Sequence, residues 1–114
     1  MAKVPENISE TIWLLKRQSL DIVQQATEIE YILFDLFGET ESTFAYLDEM
    51  KNIAESATSL YIRLFRLHLQ IIQSQPQASN DLLGLLYQTI ETTSVRLPAL
   101  KRSIQEVKQE WRLP

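Results

Sequence analysis

Apolar residues recur every three or four positions along three segments of this chain, and polar residues fill the positions between them. Such spacing is typical of amphipathic helices. It predicts helices over about residues 7–37, 41–74 and 80–112. In the first helix the core-forming positions follow a 4–3 heptad pattern, and these positions are Ile8, Ile12, Leu15, Ser19, Ile22, Ala26, Ile29, Leu33 and Leu36.

The other two helices carry heptad patterns of the same kind. In the second helix the predicted core positions are Tyr46, Met50, Ile53, Ala57, Leu60, Leu64, Leu67 and Ile71. In the third they are Leu83, Leu86, Ile90, Thr93, Leu97, Leu100, Ile104, Val107 and Trp111. Capping residues agree with these bounds, because the expected cap positions hold Asn7 with Glu10, Gly38, Thr40 or Ser42, and Ser79 or Asn80.

Three helices of similar length joined by short loops predict an all-α, antiparallel three-helix bundle that forms a single domain over residues 1–114. Pro98 lies inside the third segment, where proline removes a helical hydrogen bond and kinks or breaks the helix. The heptad continues in phase through Pro98, which favours one kinked helix. Four helices, with a break at Pro98, are the alternative. Small residues level with Pro98 predict a tight waist or, alternatively, a cavity for an apolar ligand.

The second helix has a surplus of apolar residues. Ile62, Phe65, Leu69 and Ile72 form a stripe that points about 150° away from the core stripe. Trp13, Leu20 and Phe34 form a further stripe on the first helix. Because an outer helix of a small bundle needs one apolar stripe, the surplus predicts a surface that a partner covers. We expect a homodimer, or a partner helix, bound through Trp13, Leu20, Ile62, Phe65, Leu69 and Ile72.

Composition narrows the classes of function. The net charge is −4, which weighs against nucleic acid as a partner. Eight acids and one base lie between residues 28 and 55, so one end of the bundle is acidic and a docking site for a basic partner there is a further possibility. There are no cysteines, and the chain begins with neither a secretory signal nor a membrane span. We expect a cytoplasmic, non-enzymatic interaction module without metal or cofactor, away from membranes.

One motif supports an enzymatic alternative. Arg63 and His68 have the Arg-x4-His spacing that resembles the active motif of HEPN-type RNases, which are small helical bundles that act as dimers. The resemblance implies an RNase that uses Arg63 and His68 at a dimer cleft. It covers six residues, and it departs from the family because Leu64 occupies a position that is usually polar and because three helices are expected instead of four. On one helix the two side chains point about 140° apart.

Overall fold

The computed structural model describes residues 5–74 and 77–114, and this part of the chain forms three α-helices and no strand. Helix α1 spans Glu6–Phe37, α2 spans Glu41–Gln73 and α3 spans Asn80–Glu110. Every helix packs against both others, in a rod with dimensions of 56 × 20 × 17 Å. The predicted all-α three-helix bundle is confirmed.

Contacts at the two ends of the rod give the directions of the helices. Near the start of α1, Lys16 Nζ lies 3.1 Å from Nδ1 of His68, which is near the end of α2. At the opposite end, the ring of Trp111 at the end of α3 contacts Phe37 and Tyr46, with centroid distances of 5.0 and 5.4 Å. Helix α2 therefore runs antiparallel to α1 and α3, as predicted.

The predicted heptad positions form the core. Its largest fully buried apolar side chains come from all three helices and are Ile12, Leu33, Met50, Leu64, Ile71, Leu86 and Ile104. Small side chains are also fully buried, namely those of Ser19, Ala26, Ala57 and Thr93. Small residues let helix backbones approach closely. The tight waist stays a prediction, since a groove of about 240 Å³ lies beside Leu97 and Pro98.

Leu36 is the clearest error in the predicted core, because 60% of its surface is exposed. An α-helix turns a strict seven-residue repeat by about 20° per heptad. Over the four heptads from Ile8 to Leu36 the repeat therefore rotates by about 80°. Ile8 still packs against the core, but Leu36 has turned away from it.

The helix starts are set by hydroxyl caps at two of three positions. Thr40 caps α2 in a reciprocal capping box, in which Thr43 N–H donates to Thr40 Oγ1 and Thr40 N–H donates to Thr43 Oγ1. Ser79 Oγ caps α3 by accepting from Leu82 N–H. The predicted cap at Asn7 is wrong, because α1 already begins at Glu6, with Pro5 as its N-cap residue and no side-chain cap.

Two residues with positive φ end helices. Gly38 follows α1 with φ 72° and ψ −174°, so the left-handed φ expected of it is present while its ψ is extended. Arg112 follows α3 with φ 52°. Its N–H donates to the Gln109 carbonyl, and Leu113 N–H donates to the Lys108 carbonyl. These two bonds form a Schellman motif, so α3 ends at Glu110, two residues before the predicted bound.

Helix α3 passes through Pro98 without interruption. The four-helix alternative is therefore wrong. Proline has no N–H, so Pro98 makes no helical bond to the carbonyl of Ser94. The kink at Pro98 stays a prediction of the sequence. None of the described helices combines the length and the apolar character that crossing a membrane requires.

Candidate functional site

The six residues predicted to bind a partner are all at the surface, with exposed fractions between 38% and 60%. On α2, by contrast, the predicted core positions from Met50 to Ile71 are at most 9% exposed. We call these six residues the apolar patch: Trp13, Leu20, Ile62, Phe65, Leu69 and Ile72. The two apolar sides of α2 thus differ sharply in burial.

A lysine joins the α1 and α2 parts of the patch. Lys16 Nζ lies 4.4 Å from the ring centroid of Trp13 and 5.4 Å from that of Phe65. Trp13 packs edge-on against the ring of His68 with centroids 6.0 Å apart, and Tyr61 stacks against Phe65 at 6.4 Å. The ammonium therefore sits between aromatic faces, which attract cations through the ring quadrupole.

Lys16 is 5% exposed and His68 is 7% exposed. The ammonium has only N–H donors, so it donates to Nδ1 of His68, and the imidazole is neutral with its proton on Nε2. Burial lowers the pKa of Lys16 below its ordinary value. Burial also lowers the pKa of His68, and the charge of Lys16 lowers it further. The one ion pair within residues 5–74 and 77–114 joins Lys51 to Glu30, so Lys16 has no acidic partner there.

This pair makes stability depend on pH. Protonation of His68 is disfavoured in the folded state. Below the ordinary histidine pKa of about 6.5, the unfolded chain therefore binds more protons than the folded chain. We expect the free energy of unfolding to fall as pH drops through this value, by at most about 1.4 kcal/mol per pH unit from this group. His68→Gln should remove this component, measured as the difference between urea titrations of the two proteins from pH 7.5 to 5.

Lys16→Met provides the matched control for that measurement. It removes the neighbouring positive charge but keeps the burial, which is the larger cause of the lowered His68 pKa. The dependence attributed to His68 should therefore become smaller without disappearing. Identical pH profiles for the parent protein and His68→Gln would contradict the assignment.

The basic residues near the patch occupy different positions in the structure. Lys16 lies inside the patch instead of at its rim. Arg63 and Arg66 line a groove of about 540 Å³ together with Ile62 of the patch and Leu85 of α3. Arg17 is exposed and lies one helical turn from Trp13. The rim of the patch thus consists of Arg17 on α1 and Arg66 on α2.

Arg63 and His68 do not come together within one chain. His68 faces Lys16 and Trp13 of α1, whereas Arg63 lines the groove that includes Leu85 of α3. The imidazole is nearly buried, so a single chain does not present it to an RNA phosphate. The RNase alternative therefore depends on a dimer cleft that brings the two residues together, and this stays a prediction.

A second apolar surface lies at the opposite end of the α1–α2 pair. We call it the acidic groove, a depression of about 420 Å³ whose lining includes Tyr31, Phe34, Phe44, Glu30, Glu39 and Asp48. Its three aromatic rings are 56–69% exposed. One carboxylate oxygen, Glu30 Oε2, is buried without a hydrogen bond, and Lys51 Nζ lies 3.9 Å from it.

The acid-rich stretch and Phe34 point to this groove from the sequence, whereas the spacing of apolar residues does not single out Tyr31 and Phe44. Within residues 5–74 and 77–114, no three histidine, aspartate or glutamate side chains are grouped so as to hold a metal ion. Comparison of the chain with protein-family models, with characterised proteins and with solved structures found no match. The apolar patch and the acidic groove are therefore the basis for the proposed function.

Proposed function

We propose that this protein is a non-enzymatic assembly module that forms a homodimer by covering the apolar patch with a second copy. The observation that carries the proposal is the exposure of Ile62, Phe65 and Leu69, which follow helical spacing yet lie 38–46% open to water. A continuous apolar stripe of this kind on an outer helix is typical of protein–protein contact surfaces. Twofold homodimers are the commonest closed assemblies.

The energetics support association of moderate strength. Full burial of a large apolar side chain gains about 1.5–3 kcal/mol, so covering the exposed half of each patch residue gains about 0.7–1.5 kcal/mol. Six such residues from each of two copies give roughly 8–18 kcal/mol. Loss of translational and rotational freedom and ordering of side chains cost about 4–15 kcal/mol. A net gain of about 8 kcal/mol, which lies within the span of these two ranges, corresponds to a dissociation constant of about 1 µM.

A partner helix from another protein is the competing occupant of the same patch. The two cases differ in what the purified chain does by itself. A homodimer responds to dilution of the pure protein, whereas a patch reserved for another protein leaves the pure chain monomeric at every concentration.

Trp13 offers a direct readout, because it belongs to the patch and the chain has only one other tryptophan, Trp111. In Trp111→Phe, we expect the emission of Trp13 to shift to shorter wavelength as concentration rises from about 0.1 to about 100 µM, a range that brackets micromolar affinity. Trp13→Phe, which retains Trp111 at the far end of the bundle, is the control and should show no such shift. A constant Trp13 spectrum with an intact helical fold would contradict the homodimer.

A further inference from the structure

The apolar patch and the acidic groove lie on one face of the α1–α2 pair. Residues seven apart on a helix differ in direction by about 20°, so a line of such residues winds slowly around its helix, by about 60–80° over three or four steps. On α1, steps of seven lead from the patch to the groove through Trp13, Leu20, Thr27 and Phe34. On α2, steps of seven lead from the groove to the patch through Phe44, Lys51, Thr58, Phe65 and Ile72. One long face thus ends in the patch on one side and in the groove on the other.

The two ends of this face carry opposite charge. At the patch end lie Lys16, which has no acidic partner in the described chain, and the rim residues Arg17 and Arg66. At the groove end lie Glu30, Glu39 and Asp48, opposed by Lys51 alone. An apolar surface with a basic rim and an apolar surface with an acidic rim are complementary in both hydrophobicity and charge.

The positions along the face are also symmetric. Trp13 and Phe34 are equally distant in sequence from the level between Val23 and Gln24, and Lys51 and Phe65 are equally distant from Thr58. The pairs Lys16–His68 and Glu30–Lys51 relate the levels of α1 and α2. Interpolating between them puts Val23 level with Thr58 to within about two residues, or ~3 Å. Both midpoints therefore fall at the same height of the rod.

We infer that a second copy covers this face in antiparallel orientation, with the apolar patch of each copy seated in the acidic groove of the other. The inference rests on the proposed self-association and specifies how the two copies meet. The twofold axis passes near Thr58, perpendicular to the helices. It brings Trp13 level with the partner's Phe34, and Phe65 level with the partner's Lys51.

The charged groups match in this register. Arg17 and Glu30 lie at equal distances from the level between Val23 and Gln24, and Lys16 lies one residue away. The two basic side chains therefore reach the level of the partner's Glu30. The Glu30 side chain is 28% exposed, so the exposed part of its carboxylate gains N–H donors from Arg17 of the other copy.

The area favours this arrangement over contact between two patches. A face of 56 by 20 Å offers about 1,100 Å², whereas a standard interface uses about 800 Å² of each partner. Contact between two patches would use about half of the face and would bring the basic rims of both copies together. A β-strand from another protein cannot pair with this surface, because the backbone N–H and C=O groups of α1 and α2 already bond within the helices.

A charge exchange tests the inference. Arg17→Glu/Arg66→Glu makes the patch rim acidic, and Glu30→Lys/Asp48→Lys makes the groove basic. Each variant alone then places like charges in both contacts of its homodimer, and we expect its dissociation constant to rise at least about 100-fold. In a 1:1 mixture the two variants pair with opposite charges in both contacts, so association should return to within about threefold of the parent protein.

The control is Glu91→Lys/Glu106→Lys, which makes the same change in net charge as Glu30→Lys/Asp48→Lys but at exposed positions of α3. It should dimerise as the parent does, and circular dichroism should show every variant to be folded. Suppose that the parent protein dimerises, but each variant still self-associates or the two variants do not associate when mixed. The antiparallel register is then wrong, while self-association stands. A monomeric parent overturns both.

Discussion

Leu64→Ala is expected to lower the free energy of unfolding by about 3–5 kcal/mol, because Leu64 is fully buried where the three helices meet. The truncation removes apolar contacts and leaves a cavity that helices fixed by neighbouring large side chains fill only in part. A domain of this size has a total stability of about 5–15 kcal/mol, so the loss is a large part of it. Urea unfolding monitored by circular dichroism gives the value.

Leu69→Ala is the matched comparison, since the same side chain is shortened on the same helix five residues away. Leu69 is 41% exposed, so in the monomer the loss should be below about 1 kcal/mol. Its main effect should be on dimerisation. Equal losses in dilute solution would mean that Leu69 belongs to the monomer core and that the patch does not exist as a free surface.

Phe65→Glu/Leu69→Glu is expected to abolish self-association, weakening it by at least about 100-fold. Both residues lie near the middle of the patch stripe on α2, and each is more than 40% exposed. Exposed glutamates cost little in the monomer, but within the dimer both carboxylates would lose water in the partner's acidic groove, beside the carboxylates that line it. Size-exclusion chromatography with light scattering at tens of micromolar measures the outcome.

Val95→Glu/Leu14→Glu is the control for that experiment. Both positions are exposed apolar residues outside the patch, at 70% and 51%. This variant should elute with the parent mass. If it dissociates the dimer as strongly as the patch variant does, the general increase in negative charge is responsible and the patch is not the interface.

The periodic part of this structure could be predicted from the sequence because burial and helical period coincide there. Leu33, Leu64 and Ile104 were assigned to the core from spacing alone, and all three are fully buried. Continuity through Pro98 followed from an unbroken heptad, since the core contacts on either side outweigh one missing backbone hydrogen bond.

The Lys16–His68 pair could not be predicted from the sequence. A lysine next to the core stripe is normally placed at the surface, where its charge is solvated. Here the ring of Trp13 covers Lys16, and Nδ1 of His68, 52 positions further along the chain, accepts a hydrogen bond from its ammonium group. Only the pairing of α1 with α2 brings these groups together. Helix α3 ends earlier than predicted because Arg112 adopts a positive φ, a backbone conformation that is usually found at glycine.

The candidate interaction surface could be predicted from the sequence only in part. The surplus stripe on α2 is recognisable from its spacing, and the structure places Ile62, Phe65 and Leu69 at the surface. The acidic groove could be recognised only in the structure, because Phe34 and Phe44 belong to different helices and line one groove only through the turn at Gly38. The position of the groove relative to the patch depends on how far α2 is shifted along α1. The spacing of residues on a single helix does not determine that shift.

Sedimentation equilibrium of the parent protein tests most directly whether a second molecule shields the outer side of α2. At about 50 µM, well above a micromolar dissociation constant, we expect a mass of twice the 13.3 kDa of one chain, falling toward one chain on dilution. A mass of 13.3 kDa at every concentration up to the hundred-micromolar range, from protein with full helical content, would contradict it.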